Sequence, residues 1–170
     1  MQEIKGFTLV EILIVVAIIG VLAVIAVPGL LTSRRAGNEV SAIGSLKAIN
    51  TAQLTFAASC GHGFYAASLS NLATPPASVS GEGFIGPDLG SDPSLKSSYT
   101  VTLTPGEVVQ GIPPSCNGAP VVSSYFVSAF PTAGGGVRFF GTNQGGTIFQ
   151  STSTVPVTQS GIPSGTSPVQ

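Results

Sequence analysis

Few side chains in this sequence could take part in covalent or acid–base chemistry, and their spacing decides how far each can go. His62 is the only histidine and lies in Cys60-Gly61-His62-Gly63. A Cys–His dyad needs its thiol and imidazole facing each other. Two residues apart on a Gly-rich turn is not that arrangement, so His62 reads as an exposed turn residue. One His and two Cys cannot supply the four Cys/His ligands of a structural zinc site. Asp88 and Asp92, in Pro87-Asp88-Leu89-Gly90-Ser91-Asp92-Pro93, could join carbonyl oxygens around calcium, a hard cation that takes oxygen ligands. With two carboxylates the site is thin, so no cofactor is expected and calcium is the minor alternative. Gly81-Glu82-Gly83-Phe84-Ile85-Gly86 fits G-x-G-x-x-G. That dinucleotide motif requires a strand before it and a helix after it. Pro75-Pro76 precede it, and Pro87 and Pro93 follow. The remaining ionisable group of interest is Glu11, which stands at the edge of a long apolar run.

The composition narrows the classes further. Of 170 residues, 8% are charged, against about 25% in an ordinary soluble domain. The chain has 22 Gly, 13 Pro and 36 Ser plus Thr, a net charge of −1 and a mean hydropathy of +0.47. Six Lys and Arg do not make the basic footprint that phosphate backbones require, so direct nucleic-acid binding is not expected. Disorder throughout is excluded as well, because disordered chains are charged and poor in apolar residues. The shortage of charge is anomalous for a small soluble monomer.

Residues 12–31 read ILIVVAIIGVLAVIAVPGLL, without a charge. As a helix rising about 1.5 Å per residue, this run spans a hydrocarbon core of roughly 30 Å. A single segment in lipid must bond its backbone internally and so must be helical. A cleaved secretory signal would have a shorter apolar region followed by a small-residue cleavage site. Pro28-Gly29-Leu30-Leu31 followed by Arg34-Arg35 has no such site, and a retained anchor is the better reading. Glu11 does not fit a plain anchor, since a carboxylate carried into lipid costs several kcal/mol unless partnered. It either stays wet at the interface or meets a cation from elsewhere, because no Lys or Arg lies between Thr8 and Ser33.

Lys5-Gly6-Phe7-Thr8-Leu9-Val10-Glu11 followed by this apolar run resembles the prepilin signature of type IV pilins and type II secretion pseudopilins. The resemblance implies a leader over residues 1–6, cut between Gly6 and Phe7 by a prepilin peptidase that also methylates the new amine of Phe7. It implies that Glu11 pairs with the N-terminal amine of a neighbouring subunit, so that two charges costly in lipid neutralise each other on association. It also implies that the helix loosens between Gly20 and Pro28 on packing. Gly and Pro are the residues that weaken a helix. Ala17, Gly20, Ala23 and Ala26 recur every three residues, offering small side chains for close contact in lipid. Major pseudopilins bind calcium nearer their C-terminus, whereas residues 108–170 here contain no Asp or Glu.

The elements behind the signature follow from periodicity. Residues 32–60 continue as an amphipathic helix, with Val40, Ile43, Leu46 and Ile49 every three residues. With the anchor (residues 7–31) this makes one helix of about fifty residues, on the order of 75–80 Å long, stopped at Gly61 and Gly63. Residues 61–98 read as a Gly/Pro-rich loop region. Residues 99–150 read as an antiparallel sheet, with strands at residues 99–103, 124–130, 137–140 and 147–150 separated by Gly-rich gaps. The tail, residues 151–170, is Ser, Thr, Pro and Gly with little to bury, a strand extension or a surface coil. Helix first and sheet afterwards is an α+β class, similar to the pilin fold. Cys60 and Cys116 are the two cysteines. Their separation does not prove pairing. In the extracytoplasmic setting that the resemblance implies, they are expected to be joined, clamping the helix end to the β region for about 3–4 kcal/mol.

The function expected from this resemblance is a structural subunit of a type IV pilus and not an enzyme. The implied partners are further copies in a homopolymer, membrane lipid before assembly, the prepilin peptidase and an inner-membrane assembly platform. The implied location is the inner membrane with a periplasmic C-terminal domain, then an extracellular pilus. A type II secretion pseudopilin in a periplasmic pseudopilus is the alternative. A single-pass anchored binding domain or enzyme is the alternative of a different class, and it would need convergent polar residues that are not seen. The charges flanking the anchor do not help: Lys5 and the amine are offset by Glu3, while Arg34 and Arg35 lie on the other side, so the positive-inside rule is undecided or favours a cytoplasmic C-terminus. The signature overrides it.

Overall fold

The computed structural model describes residues 6–77 and 81–169. Residues 1–5, with most of the expected leader, Ser78 to Ser80 of the Gly/Pro-rich region, and Gln170 lie outside the described residues. The chain divides into two units, residues 1–34 and 35–170. Helical hydrogen bonding is continuous through α1, Leu9–Ser59, with Pro28 inside it.

In the second unit α1 turns one face to the core. Ala42, Leu46, Ile49, Gln53, Phe56 and Cys60 are buried, at alternating steps of four and three residues that keep them on one side of a 3.6-residue helix. This is not quite the three-residue stripe expected. Val40 is 68% exposed, because three-residue steps fall short of a full turn and carry the stripe off the core face. The helix ends where Cys60 and Gly61 both donate their N–H groups to the Phe56 carbonyl, and Gly63 follows at a φ of 90°.

The sheet that receives this face is antiparallel throughout. After β1 (Tyr65–Ala66), α2 (Leu69–Ala73) and a 3₁₀ turn (Pro87–Leu89) come β2 (Ser94–Lys96), β3 (Tyr99–Pro105), β4 (Val121–Val122), β5 (Tyr125–Pro131), β6 (Phe139–Asn143), β7 (Ile148–Ser151) and β8 (Ser167–Pro168). The order β2-β3-β5-β6-β7-β8 forms one sheet, and β1 pairs with β4 in a second, two-stranded sheet. β5, β6 and β7 form the expected meander, and the four long strands begin within two residues of the expected positions. The sheet is wider than residues 99–150, since β2 and β8 extend it at both edges. The region 61–98 contains β1, α2, the 3₁₀ turn and β2 rather than loop alone.

Alternation along the strands gives the sheet two faces. Tyr99, Val101, Leu103, Tyr125, Val127, Ala129, Phe140 and Ile148 join the α1 core. Phe126 and Phe149 point to the other face and are also buried. The tail covers them. Val155 is buried there, and a Cβ on Gly141 of β6 would come within 2.8 Å of Phe126 and 3.0 Å of Val155, so glycine leaves both their room. The Asn143 side-chain amide donates to the Thr158 and Gly161 carbonyls at 3.0 and 2.9 Å. The Gln159 amide reaches the Pro105 carbonyl at 3.3 Å, and Ser167 then pairs with Gln150. The tail is therefore a strap across the second face of the sheet, closed by a short strand extension.

Candidate functional site

The N-terminal segment builds its site from two residues three apart. The carboxylate of Glu11 accepts hydrogen bonds from the Thr8 N–H at 2.9 Å and the Thr8 hydroxyl at 2.7 Å. In return the Glu11 N–H donates to the Thr8 hydroxyl oxygen at 3.2 Å. With α1 beginning at Leu9, Thr8 is the N-cap and Glu11 its reciprocal partner, a capping box that satisfies two donors the helix start would otherwise leave open. Thr8 was not singled out from sequence, although Thr-x-x-Glu ahead of an apolar run is the spacing that marks such a box. Gly6 and Phe7 precede the cap, both exposed, Phe7 at 80%.

Beyond the cap, the large apolar side chains at positions 7–31 are all exposed. The helix is long and apolar enough to cross a membrane. Gly20 has no described atom near the position of a Cβ. Pro28 carries no N–H and cannot bond the Val24 carbonyl, yet the helix passes through residues 20–28 without interruption. Immediately after it, the Thr32 and Ser33 hydroxyls fold back onto the Pro28 and Gly29 carbonyls at 3.1 and 3.0 Å, so their polar groups are satisfied within the helix.

The second unit uses a few charged and amide side chains to fasten α1. Glu39 accepts the Val137 and Arg138 backbone N–H groups at 3.0 and 3.2 Å and forms an ion pair with the Arg138 guanidinium at 2.7 Å. Burial alone would raise the Glu39 carboxyl, but these donors outweigh it and hold the carboxyl below its ordinary value. Arg138 also donates to the Gln150 side chain at 2.8 Å and accepts, at its carbonyl, the Tyr99 hydroxyl. Burial, helped by the nearby Glu39 charge, pushes the Tyr99 phenol up to about 12. Farther along, Asn50 donates to the Thr142 hydroxyl and accepts from the Tyr125 hydroxyl. The fully buried Gln53 exchanges two bonds with the backbone of Ala66 at 3.0 and 2.8 Å, standing in for a strand neighbour. None of these partners was read from sequence. The one available signal was Arg138, the only charge in residues 108–170, which must find a counter-ion if it is not to stand alone.

The other candidate residues are occupied by the fold. Cys60 and Cys116 are joined by a disulfide, with their Cα atoms 4.9 Å apart. The bond ties the helix end to the loop between β3 and β4, and it leaves no Cys60 thiol to work with His62. His62 is exposed in the turn, at a φ of 55°. Asp88 pairs with Lys96 at 2.6 Å, and that cation holds its carboxyl below the ordinary value. Asp92 accepts the Leu69 and Leu103 N–H groups at 3.3 and 3.1 Å. Among the described residues no three His, Cys, Asp or Glu side chains gather as a metal site. The Gly81-to-Gly86 motif lies between α2 and a three-residue 3₁₀ turn. Its Gly83 serves packing, because a Cβ there would overlap the Ala73 backbone.

The family model for the prokaryotic N-terminal methylation motif matches residues 1–27. Over 52 residues, 31% of this chain, the sequence is 48% identical to the type IV major pilin protein PilA of Myxococcus xanthus. The N-terminal segment is homologous to type IV major pilins. Over 39 residues, 23% of the chain, it is 51% identical to the type IV wide pilus major component PilA4 of Thermus thermophilus. These matches span 24% and 30% of the two relatives' lengths. No solved structure matches the chain. The pilin-like N-terminal segment thus carries the capping box and the exposed apolar helix, on a chain whose fold is α+β. Both relatives are named as components of type IV pili, and neither as a secretion pseudopilin.

Proposed function

We propose that this chain is the structural subunit of a type IV pilus, polymerised through its N-terminal helix. The observation that carries the reading is a helical segment whose large apolar side chains are all exposed among the described residues, with Glu11 in its first turn, within the segment homologous to major pilins. Such a helix needs an apolar surrounding twice over: lipid before assembly, and other copies of itself afterwards. Prepilin peptidase cuts between the exposed Gly6 and Phe7 and methylates the amine released on Phe7. The Glu11 carboxylate then has two sets of donors to choose between. In the single chain it is held by Thr8, and in the filament it takes the Phe7 amine of a neighbour, a charged donor worth more in a low-dielectric core. Leaving the membrane is thereby linked to reaching the correct register, with Gly20 and Pro28 marking the stretch that yields as the helices pack. The C-terminal unit sits in the periplasm while the helix is in the inner membrane, where the assembly platform takes the subunit up.

Four measurements test this reading. The mature subunit is expected to begin at N-methylated Phe7 by mass spectrometry. Deletion of the gene is expected to remove surface filaments. Glu11→Ala is expected to leave a processed subunit in the membrane and no filaments, and normal filaments from that variant would refute the charge-pairing role. A reporter fused after Gln170 is expected to be active outside the cytoplasm; activity confined to the cytoplasm overturns the topology.

A further inference from the structure

Four of the nine charged side chains of the second unit, residues 35–170, pair with one another, and Arg35, Lys47, Glu82 and Glu107 form no ion pair among the described residues. Glu39 is matched by Arg138 and Asp88 by Lys96, while Asp92 is spent on two backbone N–H groups. Lys47 and Glu107 are both exposed and have no partner among the described residues. α1 offers Lys47 nothing at helical spacing, since the positions three and four away are Ile43, Gly44, Asn50 and Thr51. Instead Lys47 stands midway between two apolar side chains on the solvent face. Val40 and Leu54 lie seven residues to either side, hence two turns away on the same face, and are 68% and 57% exposed. Gly44 and Thr51, also exposed, lie between them and keep that face low.

Glu107 is presented in a complementary way. It lies two residues past the end of β3, beside Val108, which is 49% exposed. The backbone there is fixed: Gly106 donates to the Ser124 carbonyl at 2.8 Å, the Glu107 carbonyl accepts from Ser123 at 3.0 Å, and Val108 bridges to Val122. An exposed carboxylate and an exposed valine therefore follow one another on a held corner. Glu82, the other unpaired carboxylate of this unit among the described residues, lies between two glycines with no exposed large apolar side chain next to it.

We propose that the exposed α1 face formed by Val40, Lys47 and Leu54 docks a second copy of this chain, which presents its Glu107–Val108 corner. Lys47 meets the Glu107 carboxylate across this contact. The two patches come from different parts of one chain, so the contact is head-to-tail rather than two-fold, the type from which an open filament can be built. This contact rests on the filament reading above and adds to it a charge-matched register outside the apolar segment. Opposite charges at such a contact set the register, and like charges there act against assembly.

The test is charge reversal in the full-length chain, expressed in a strain lacking its own copy. Sheared filament mass is compared with the membrane pool of subunit. Lys47→Glu and Glu107→Lys are each expected to lower filament yield about tenfold at unchanged subunit level, equivalent to about 1.4 kcal/mol per contact. The double variant is expected to return to within about twofold of the parent chain. Single variants that assemble normally, or a double variant as poor as the singles, overturn the pairing. An independent readout is Lys47→Cys with Glu107→Cys. Oxidation of those filaments is expected to give a ladder of linked subunits, and monomer alone overturns the contact. If the unaltered chain makes no filaments, the filament reading itself falls, which is a separate outcome from filaments that ignore the reversal.

Discussion

Residues 9–34 and residues 35–59 share one run of helical hydrogen bonds, yet their side chains are solved by opposite means. In the first stretch every large apolar side chain is exposed, and the one carboxylate, Glu11, is satisfied by the residue three before it. In the second, apolar side chains are buried on one face, while polar ones are buried with partners far along the chain, over 90 residues away for Glu39 and Asn50 and 13 for Gln53. Local hydrogen bonding with absent packing marks a segment whose surroundings come from outside the chain. Distant hydrogen bonding with complete packing marks one whose surroundings the chain supplies. The same secondary structure serves both, so helix propensity alone does not tell them apart.

This contrast can be broken at several depths. The largest expected effect is on the closed second unit: replacing Cys60 and Cys116 with Ser opens a loop of sequence separation 56 and is expected to cost about 4 kcal/mol. It is read as a fall in the thermal midpoint of the tyrosine near-ultraviolet signal in detergent. Next, Leu46→Ala, at a fully buried position, is expected to cost about 3 kcal/mol by the same signal. Leu22→Ala, at an exposed position of the first stretch, is expected to stay within about 0.5 kcal/mol. Equal losses at the two leucines would abolish the distinction. Glu39→Gln, which keeps shape but removes the charge facing Arg138, is expected to cost about 2 kcal/mol.

Acid sharpens the same point. The Glu39 and Asp88 carboxyls are held below their ordinary values in the folded chain, so the unfolded chain binds their protons first. Their stabilisation is complete above the unfolded value of about 4.3 for Glu and 3.9 for Asp and is lost as pH falls through the folded values. The midpoint is expected to drop on acidification below about pH 4.5, with a shallower drop in Glu39→Gln. A small and purely local effect belongs to the cap of the first stretch. Thr8→Ala is expected to cost about 1 kcal/mol of helix-start stability, seen as faster amide exchange at residues 9–12 in micelles, with no change in the near-ultraviolet midpoint.

The sequence made legible whatever depended on long uniform runs. Twenty uncharged residues implied a helix, and Tyr99-Thr100-Val101-Thr102-Leu103 implied a strand because β-branched and aromatic residues crowd it. Strands of two or three residues, such as β1, β4 and β8, carry no period of their own and exist only because a distant partner lies beside them. The strap was hidden for a related reason: within residues 152–160 the apolar side chains are only Val155 and Val157, and nothing local says that the first is buried against β6. Glu39 and Arg138 are 99 positions apart, a pairing visible only once the sheet has formed. At the site itself, Glu11 was legible because a carboxylate beside lipid demands an explanation. Thr8, its partner in the single chain, was in plain view as a spacing.

The disulfide also decides what damage does to the chain. Cys60 ends the helix and Cys116 lies past β3, so the segment between them is a loop closed by a covalent bond. A protease that cuts once anywhere in residues 61–115 severs the backbone and detaches nothing. The part bearing the apolar helix and the part bearing β4 to β8 stay joined through sulfur. A subunit nicked there keeps β4 to β8 attached to the helix, and only a reductant added after the cut releases them.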